Sequence, residues 1–198
     1  MKRVVIATGN PGKLREIAAL IAPLGIEVVP QSEFNVPPAQ EPHATFVENA
    51  LAKARHASRL SGLPALADDS GLCAAALGGV PGVQSARFAG VMATDADNNA
   101  KLLDSLKRAQ DRRAHYVCVI ALMRSEFDPQ PIICEAEWHG EIIGEPRGSG
   151  GFGYDPLFLI PELGLTGAEL SLEHKNRISH RGRALAQLVG RLRAECES

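Results

Sequence analysis

Residues 3–30 constrain the fold more than any other stretch. Arg3-Val4-Val5-Ile6-Ala7 reads as a short buried strand, and Thr8-Gly9-Asn10-Pro11-Gly12-Lys13 breaks it. A helix is predicted from about Pro11 to Ala22. Leu14, Ile17, Ala18 and Ile21 fall at i, i+3, i+4 and i+7 there and make one apolar face. Asn10 suits the N-cap and Pro11 the first helical position. Pro23 and Gly25 end the helix, and Ile26 to Val29 returns as a strand. A β–α–β start of this kind points to an α/β fold with the opening strand central.

The break between strand and helix is also the first candidate site. Backbone N–H groups at a helix start have no partner inside the helix, and that end of the dipole is positive. With the point charge of Lys13 beside them they favour a phosphate. An ordinary strand–turn–helix with a solvated lysine accounts for the same residues. A Walker A loop does not: only Asn10 and Pro11 separate Gly9 from Gly12, and Leu14 stands where Ser or Thr would hold magnesium. A phosphate bound here needs its metal held by carboxylates elsewhere in the chain.

The 198 residues suit a single domain, 1–198, with a substantial core. A net charge of −2 argues against broad binding to nucleic acid or membrane, so any phosphate site is a local concentration of Lys and Arg. Cys73, Cys118, Cys134 and Cys196 are widely spaced with no CxxC, which argues against zinc. The first three lie in apolar stretches and read as small core residues. No signal-peptide pattern and no apolar run of membrane-spanning length occurs, so the cytoplasm is the expected compartment.

Further along, Thr45 to about Ser61 is predicted as a helix with Thr45 as N-cap and Thr45–Glu48 as a capping box. Phe46, Ala50, Ala54 and Ala57 form its apolar face. Asn49, Lys53 and His56 form a second row, for which a solvated face is the plain reading and the one preferred for His56. Leu63 to Ala67 is a short apolar strand running into Asp68-Asp69-Ser70-Gly71. Ligands of open α/β sheets bind at the carboxyl ends of strands. Adjacent carboxylates there repel unless a hard cation such as Mg²⁺ offsets them. A turn in which Asp and Ser cap the next helix is the plainer alternative.

Residues 77–83 read as a mobile glycine-rich loop, 95–109 as a helix, and His115 to Met123 as a buried central strand. Pro131 to Ile143 adds one or two strands in an antiparallel or mixed part of the sheet. Gly148-Ser149-Gly150-Gly151-Phe152-Gly153-Tyr154-Asp155 surrounds a phenylalanine with glycines. Such a loop lets backbone approach a flat ring, with Phe152 to stack on it and Asp155 to meet its polar edge. A linker whose two aromatics pack on the core is the alternative. Lys175 to Arg183 is the one basic cluster, and it leads into a last helix with Leu185, Leu188, Val189 and Leu192 inward. Lys175, His180 and Arg181 precede or open that helix, where an anion is favoured.

Together these features suit a nucleoside polyphosphate, with metal and cations on the phosphates and an aromatic on the base. The motifs TGNPGK, TFVENALAKA at 45–54, ADDSGL at 67–72, GGFGYDP at 150–156 and SHRGRAL at 179–185 keep this order over nearly the whole chain. In them the sequence resembles the inosine triphosphate pyrophosphatase family, and its bacterial dITP/XTP diphosphatases in particular. The resemblance implies an α/β fold with an elongated central mixed sheet flanked by helices, in two lobes with an active cleft between them. It implies a homodimer that hydrolyses ITP, dITP and XTP to monophosphate and pyrophosphate with Mg²⁺. Asp69 corresponds to the catalytic base and a metal ligand, Glu41 to a second ligand with Asp68 beside them, and Ser70 to a substrate contact. Thr8, Gly9, Asn10, Pro11, Gly12, Lys13, Phe152, Gly153, Tyr154, Asp155, Lys175, His180 and Arg181 correspond to phosphate and base contacts. Two other classes compete: a nucleotide sensor that binds without needing Asp69, and an RNA-binding module using Lys175 to Arg183, which the net charge disfavours.

Overall fold

A computed structural model describes residues 1–197, with side chains through Glu195. Seven strands form one hydrogen-bonded mixed sheet in the order β2-β1-β3-β4-β5-β6-β7. The strands are β1 (Arg3–Ile6), β2 (Glu27–Pro30), β3 (Ala65–Ala74), β4 (Arg113–Met123), β5 (Ile132–Ile142), β6 (Phe158–Ile160) and β7 (Leu165–Thr166). The helices are α1 (Pro11–Ile21), α2 (Phe46–Ser61), α3 (Asp95–Ser105), α4 (Leu172–Ile178) and α5 (His180–Glu197). β1 pairs in parallel with β2 and with β3, whereas β5–β6 and β6–β7 are antiparallel. The connections through α1 and α2 join the parallel strands, and the antiparallel β6 and β7 are joined by the short segment 161–164.

The chain groups into two compact units. Among the described residues the first contains 1–69, 118–136 and 181–197; the second contains 70–117 and 137–180. The first unit buries Val4, Ile6, Ile17, Ile21, Leu66, Cys118, Ile120, Leu122, Leu185 and Leu188 in one core. Each fully buried aliphatic side chain contributes about 1.5–3 kcal/mol. The α1 stripe expected from the sequence supplies Ile17 and Ile21, and the α5 stripe supplies Leu185 and Leu188. The second unit has its own core, with Leu72, Leu102, Leu106, Tyr116, Trp138, Phe158 and Ile160.

Local signals set most element ends. Asn10 caps α1, accepting from the N–H groups of Gly12 and Lys13 at 2.8 and 3.2 Å. α1 stops at Ile21, one residue before the expected end, because a 3₁₀ turn takes Ala22–Leu24 and Gly25 closes it at φ +66°. Thr45 caps α2, but the reciprocal bond is its hydroxyl on the Glu48 carboxylate at 2.5 Å rather than its backbone N–H. Residues 77–83, expected to be mobile, are ordered. Backbone bonds from Gly79 N–H to Ala74 O and from Ala74 N–H to Val80 O hold them, and Val80–Pro81 is cis.

β3 departs from expectation. The aspartates do not end a strand; they sit inside one that continues to Ala74. Ser70-Gly71 reads as a turn locally, yet the strand runs through it. Charges are tolerated there because successive strand residues face opposite sides, and each carboxylate meets cations on its own side.

Candidate active site

The first unit holds a cluster of four carboxylates and three cations on β3, α1, α2, α5 and the loop before α2. Asp68 is fully buried. Arg181 Nε approaches its Oδ2 at 3.1 Å and Lys13 Nζ its Oδ1 at 2.5 Å. The lysine contact has the distance of an ion pair without the direction of a hydrogen bond, since Oδ1 has no well-aligned donor. Arg181 also donates to Glu16, which is buried. Burial alone would raise the Asp68 carboxyl. The charges of Arg181, Lys13 and Lys53 outweigh it and hold Asp68 well below the usual carboxylate range.

Asp69 has other partners. Its Oδ1 accepts from Lys53 Nζ at 2.7 Å, and the same ammonium lies 3.1 Å from Glu41 Oε1. Its Oδ2 is buried with no hydrogen-bond partner. Burial pushes the Asp69 carboxyl up; Lys53 opposes this, and the negative charge of Glu41 adds to it. Neighbours in sequence thus shift in opposite directions: Asp68 is a fixed anion, and Asp69 is a carboxylate whose proton affinity is raised.

The sequence grouped Asp68 with Asp69 as one pair awaiting a cation; the strand places them in separate sets. It also offered Arg181 and the α1 start to an external anion. Instead Arg181 bridges two internal carboxylates, and the Asn10 side chain takes the Gly12 and Lys13 N–H groups. Thr8 accepts from the Asn10 N–H through its hydroxyl at 3.1 Å, which tightens the turn. Lys13 keeps a partly exposed ammonium with three donors. Gly9 has open space where a side chain would stand, so backbone is accessible there. Pro11, the first residue of α1, offers no N–H.

Sequence reading missed Lys53, Asn49 and Glu16. Lys53 and Asn49 belong to the second row of α2, for which a solvated face is the plain reading, and both are buried. Asn49 fixes the loop before α2 by accepting from the His43 N–H at 3.1 Å and donating to its carbonyl at 3.2 Å. A lysine four residues after an asparagine, on a helix facing two acids, carried the signal. Only His56 of that row lies nearer the surface, with a ring nitrogen 3.0 Å from the Pro37 carbonyl.

The second unit holds the other expected residues. Lys175 Nζ donates to Asp155 Oδ2 at 2.7 Å and lies 4.8 Å from the centroid of the Phe152 ring. Asp155 Oδ2 also accepts the Phe152 N–H at 2.9 Å. Gly151, at φ +70°, lies so close to this carboxylate that a Cβ there would overlap it. Tyr154 is buried and donates its hydroxyl to the Ser85 carbonyl at 2.8 Å, so it anchors the loop in the core. His180 stacks on Tyr116 at 4.6 Å between centroids and 5° between planes. Ser70 is half-buried on β3.

Among the described residues no group of three or more His, Cys, Asp or Glu side chains is placed to hold a metal ion. Glu41 and Asp69, which share the Lys53 ammonium, are the two oxygen donors that could reach a hard cation, and Asp69 Oδ2 is a buried acceptor without a donor. Asp68, saturated by Lys13 and Arg181, fits less well.

The sequence profile of the Ham1 family matches residues 4–191. A Ralstonia nicotianae protein named dITP/XTP pyrophosphatase is 65% identical over 196 residues, covering 98% of each chain. A Nitrosomonas europaea protein of the same name is 65% identical over 189 residues, covering 96% of this chain and 93% of the other. Among solved structures, a HAM1 protein of Coxiella burnetii superposes with a TM-score of 0.92 at 52% identity, covering 98% of this chain and 100% of that one. The Staphylococcus aureus Ham1 protein gives 0.87 at 39% identity, with the same coverage. This chain belongs to the Ham1 family.

Proposed function

We propose that this chain hydrolyses the deaminated purine nucleoside triphosphates dITP, ITP and XTP to monophosphate and pyrophosphate, with Mg²⁺ and as a homodimer. The names of its relatives support the substrate class. The observation that carries the chemistry is the buried Asp69, with raised proton affinity, an unpartnered Oδ2 and a lysine shared with Glu41.

Glu41 and Asp69 would hold the Mg²⁺, which when bound supplies positive charge against phosphate oxygens. Asp69 takes a proton from the attacking water. The water oxygen forms a bond to the α-phosphorus, the bond from that phosphorus to the bridging oxygen breaks, and its electron pair leaves with pyrophosphate. Burial makes the Asp69 carboxylate a better proton acceptor than a free aspartate. Lys53 keeps Asp69 and Glu41 in place, and Lys13 offsets charge on the leaving group. The rest of the work is positioning and electrostatics.

Base selection belongs to the second unit in this reading. Hypoxanthine and xanthine present a 6-oxo acceptor where adenine presents a donor. Loop N–H groups, Lys175 and His180 supply donors, with Phe152 as a stacking face, and Arg181 holds its place through Asp68 and Glu16. A site built to donate to that oxygen leaves a buried donor unpaired when adenine enters.

Pyrophosphate release from dITP, XTP, dGTP and dATP, with and without Mg²⁺, tests the reading. dITP and XTP should turn over at least about a hundredfold faster than dATP, and only with the metal. Equal turnover of dATP sinks the substrate assignment, and nucleotide binding without release makes the protein a sensor.

A further inference from the structure

The first turns of α3 carry two polar residues that reach into the 152–155 loop. Asp95 and Asn99 lie at i and i+4, so they share a face of the helix. Both reach Gly153. Asp95 Oδ2 accepts the Gly153 N–H at 2.7 Å, and Asn99 Nδ2 donates to the Gly153 carbonyl at 3.0 Å. The two bonds grip the two peptide groups that flank one residue. That residue has φ +62°, a left-handed conformation that glycine adopts without strain. α3 itself is fixed. Thr94 and Asp97 form a full capping box at its N-terminus. Asn98 donates to the Ala86 carbonyl at 3.2 Å and accepts the Ala89 N–H at 2.8 Å. Leu102 is buried in the core of the same unit.

We propose that Asp95 and Asn99 are positioning residues that set the height and tilt of the 152–155 loop by clamping Gly153. This rests on the reading that the loop receives the base. Asp155 and Lys175 staple the loop from within, through the Phe152 N–H and the Phe152 ring. The Phe152 carbonyl also accepts the Asp155 N–H at 3.3 Å, while the Gly153 N–H and carbonyl go to α3. Without the clamp, Gly153 is free to leave φ +62°, and Phe152 loses its fixed plane. Asp95 is well placed energetically, since a carboxylate in the first turn also meets the positive end of the helix. A charged acceptor on a backbone N–H is stronger than a neutral one.

The test uses the full chain and four variants: Asp95→Ala, Asn99→Ala, the double variant, and Asp95→Asn, which keeps an acceptor oxygen. The expected result is a KM for dITP about tenfold higher in the double variant, with kcat within about twofold. That pattern marks lost binding that is the same in ground and transition state. Asp95→Asn should recover most of the loss. Residue-resolved amide exchange supplies a readout independent of substrate. The Gly153 N–H should exchange faster in Asp95→Ala, while the Phe152 N–H, which is held by Asp155, stays protected. Unchanged Gly153 exchange overturns the clamp. Phe152→Ala separates this inference from the reading beneath it. If Phe152→Ala raises KM and the α3 variants do not, the positioning role is wrong. If Phe152→Ala itself leaves KM unchanged, the loop does not receive the base and both statements fall.

Discussion

Two buried lysine–aspartate pairs have the same contact distance and opposite characters. Lys53–Asp69 in the first unit and Lys175–Asp155 in the second both close at 2.7 Å. Asp155 Oδ2 takes the Phe152 N–H as well as the ammonium, and glycines at 151 and 167 let the chain close tightly around the carboxylate. Asp69 shares its lysine with Glu41 and leaves Oδ2 in the interior without a donor. A pair whose carboxylate oxygen also takes a backbone N–H of the loop is a staple. A pair whose carboxyl is pushed up by burial, with an unpartnered buried oxygen, is the one proposed above for chemistry. Contact distance alone does not distinguish them; the other neighbours of each carboxylate do.

The strongest way to break the comparison is to cut the staple. Asp155→Ala removes the carboxylate that the Lys175 ammonium and the Phe152 N–H share. Losing one member of a buried pair costs about 3–5 kcal/mol, and a chain of this size loses roughly 2–4 °C of Tm per kcal/mol. Calorimetry should show a fall of about 10 °C, and a fall under about 2 °C would mean that the pair does not hold the loop. A smaller effect comes from Gly151→Ala. The added Cβ meets the Asp155 carboxylate in a left-handed conformation, at a cost of about 1–3 kcal/mol. Gly9→Ala, which meets open space, should change stability by less than about 1 kcal/mol by the same measurement.

The pH dependence sharpens the contrast within β3 and carries the smallest effect. Asp69 must be ionised to take a proton, so kcat/KM should fall as pH drops through a value higher than that of a free aspartate. Lys53→Met removes the charge that opposes this rise and should move the acid limb further toward neutral. An unmoved limb would uncouple Lys53 from the base. Asp68 has the opposite sign. Its folded pKa is depressed, so its contribution to stability is present above its unfolded value of about 3.9 and disappears as pH falls through the folded value. Asp68→Asn should therefore flatten the acid side of the stability curve.

Much of this was legible in the sequence. The β–α–β start, the Asn10 and Thr45 caps and the buried β4 follow from periodicity and cap chemistry, which act over a few residues. The mixed sheet and the Ham1 relationship follow from motifs in fixed order. What local rules missed depends on partners far away in the chain. Lys53 and Asn49 look like a solvated row until Glu41, Asp69 and His43 surround them. Glu16 is an ordinary surface glutamate until Arg181, far along the chain, turns inward to meet it. β7 is too short to show a period, and Ser70-Gly71 signals a turn that its strand neighbours override. The clamp from Asp95 to Gly153 spans a separation that no local pattern reports.

The central claim is that Asp69 does chemistry while Asp155 builds the loop. Measuring pyrophosphate release from dITP and thermal unfolding side by side, for Asp69→Asn and Asp155→Asn, tests it most directly. Asp69→Asn should lose turnover by about a thousandfold, keep nucleotide binding and unfold near the parent Tm. Asp155→Asn should unfold several degrees lower and lose far less turnover once folded. Near-normal turnover in Asp69→Asn, or a thousandfold loss in a fully stable Asp155→Asn, would contradict it.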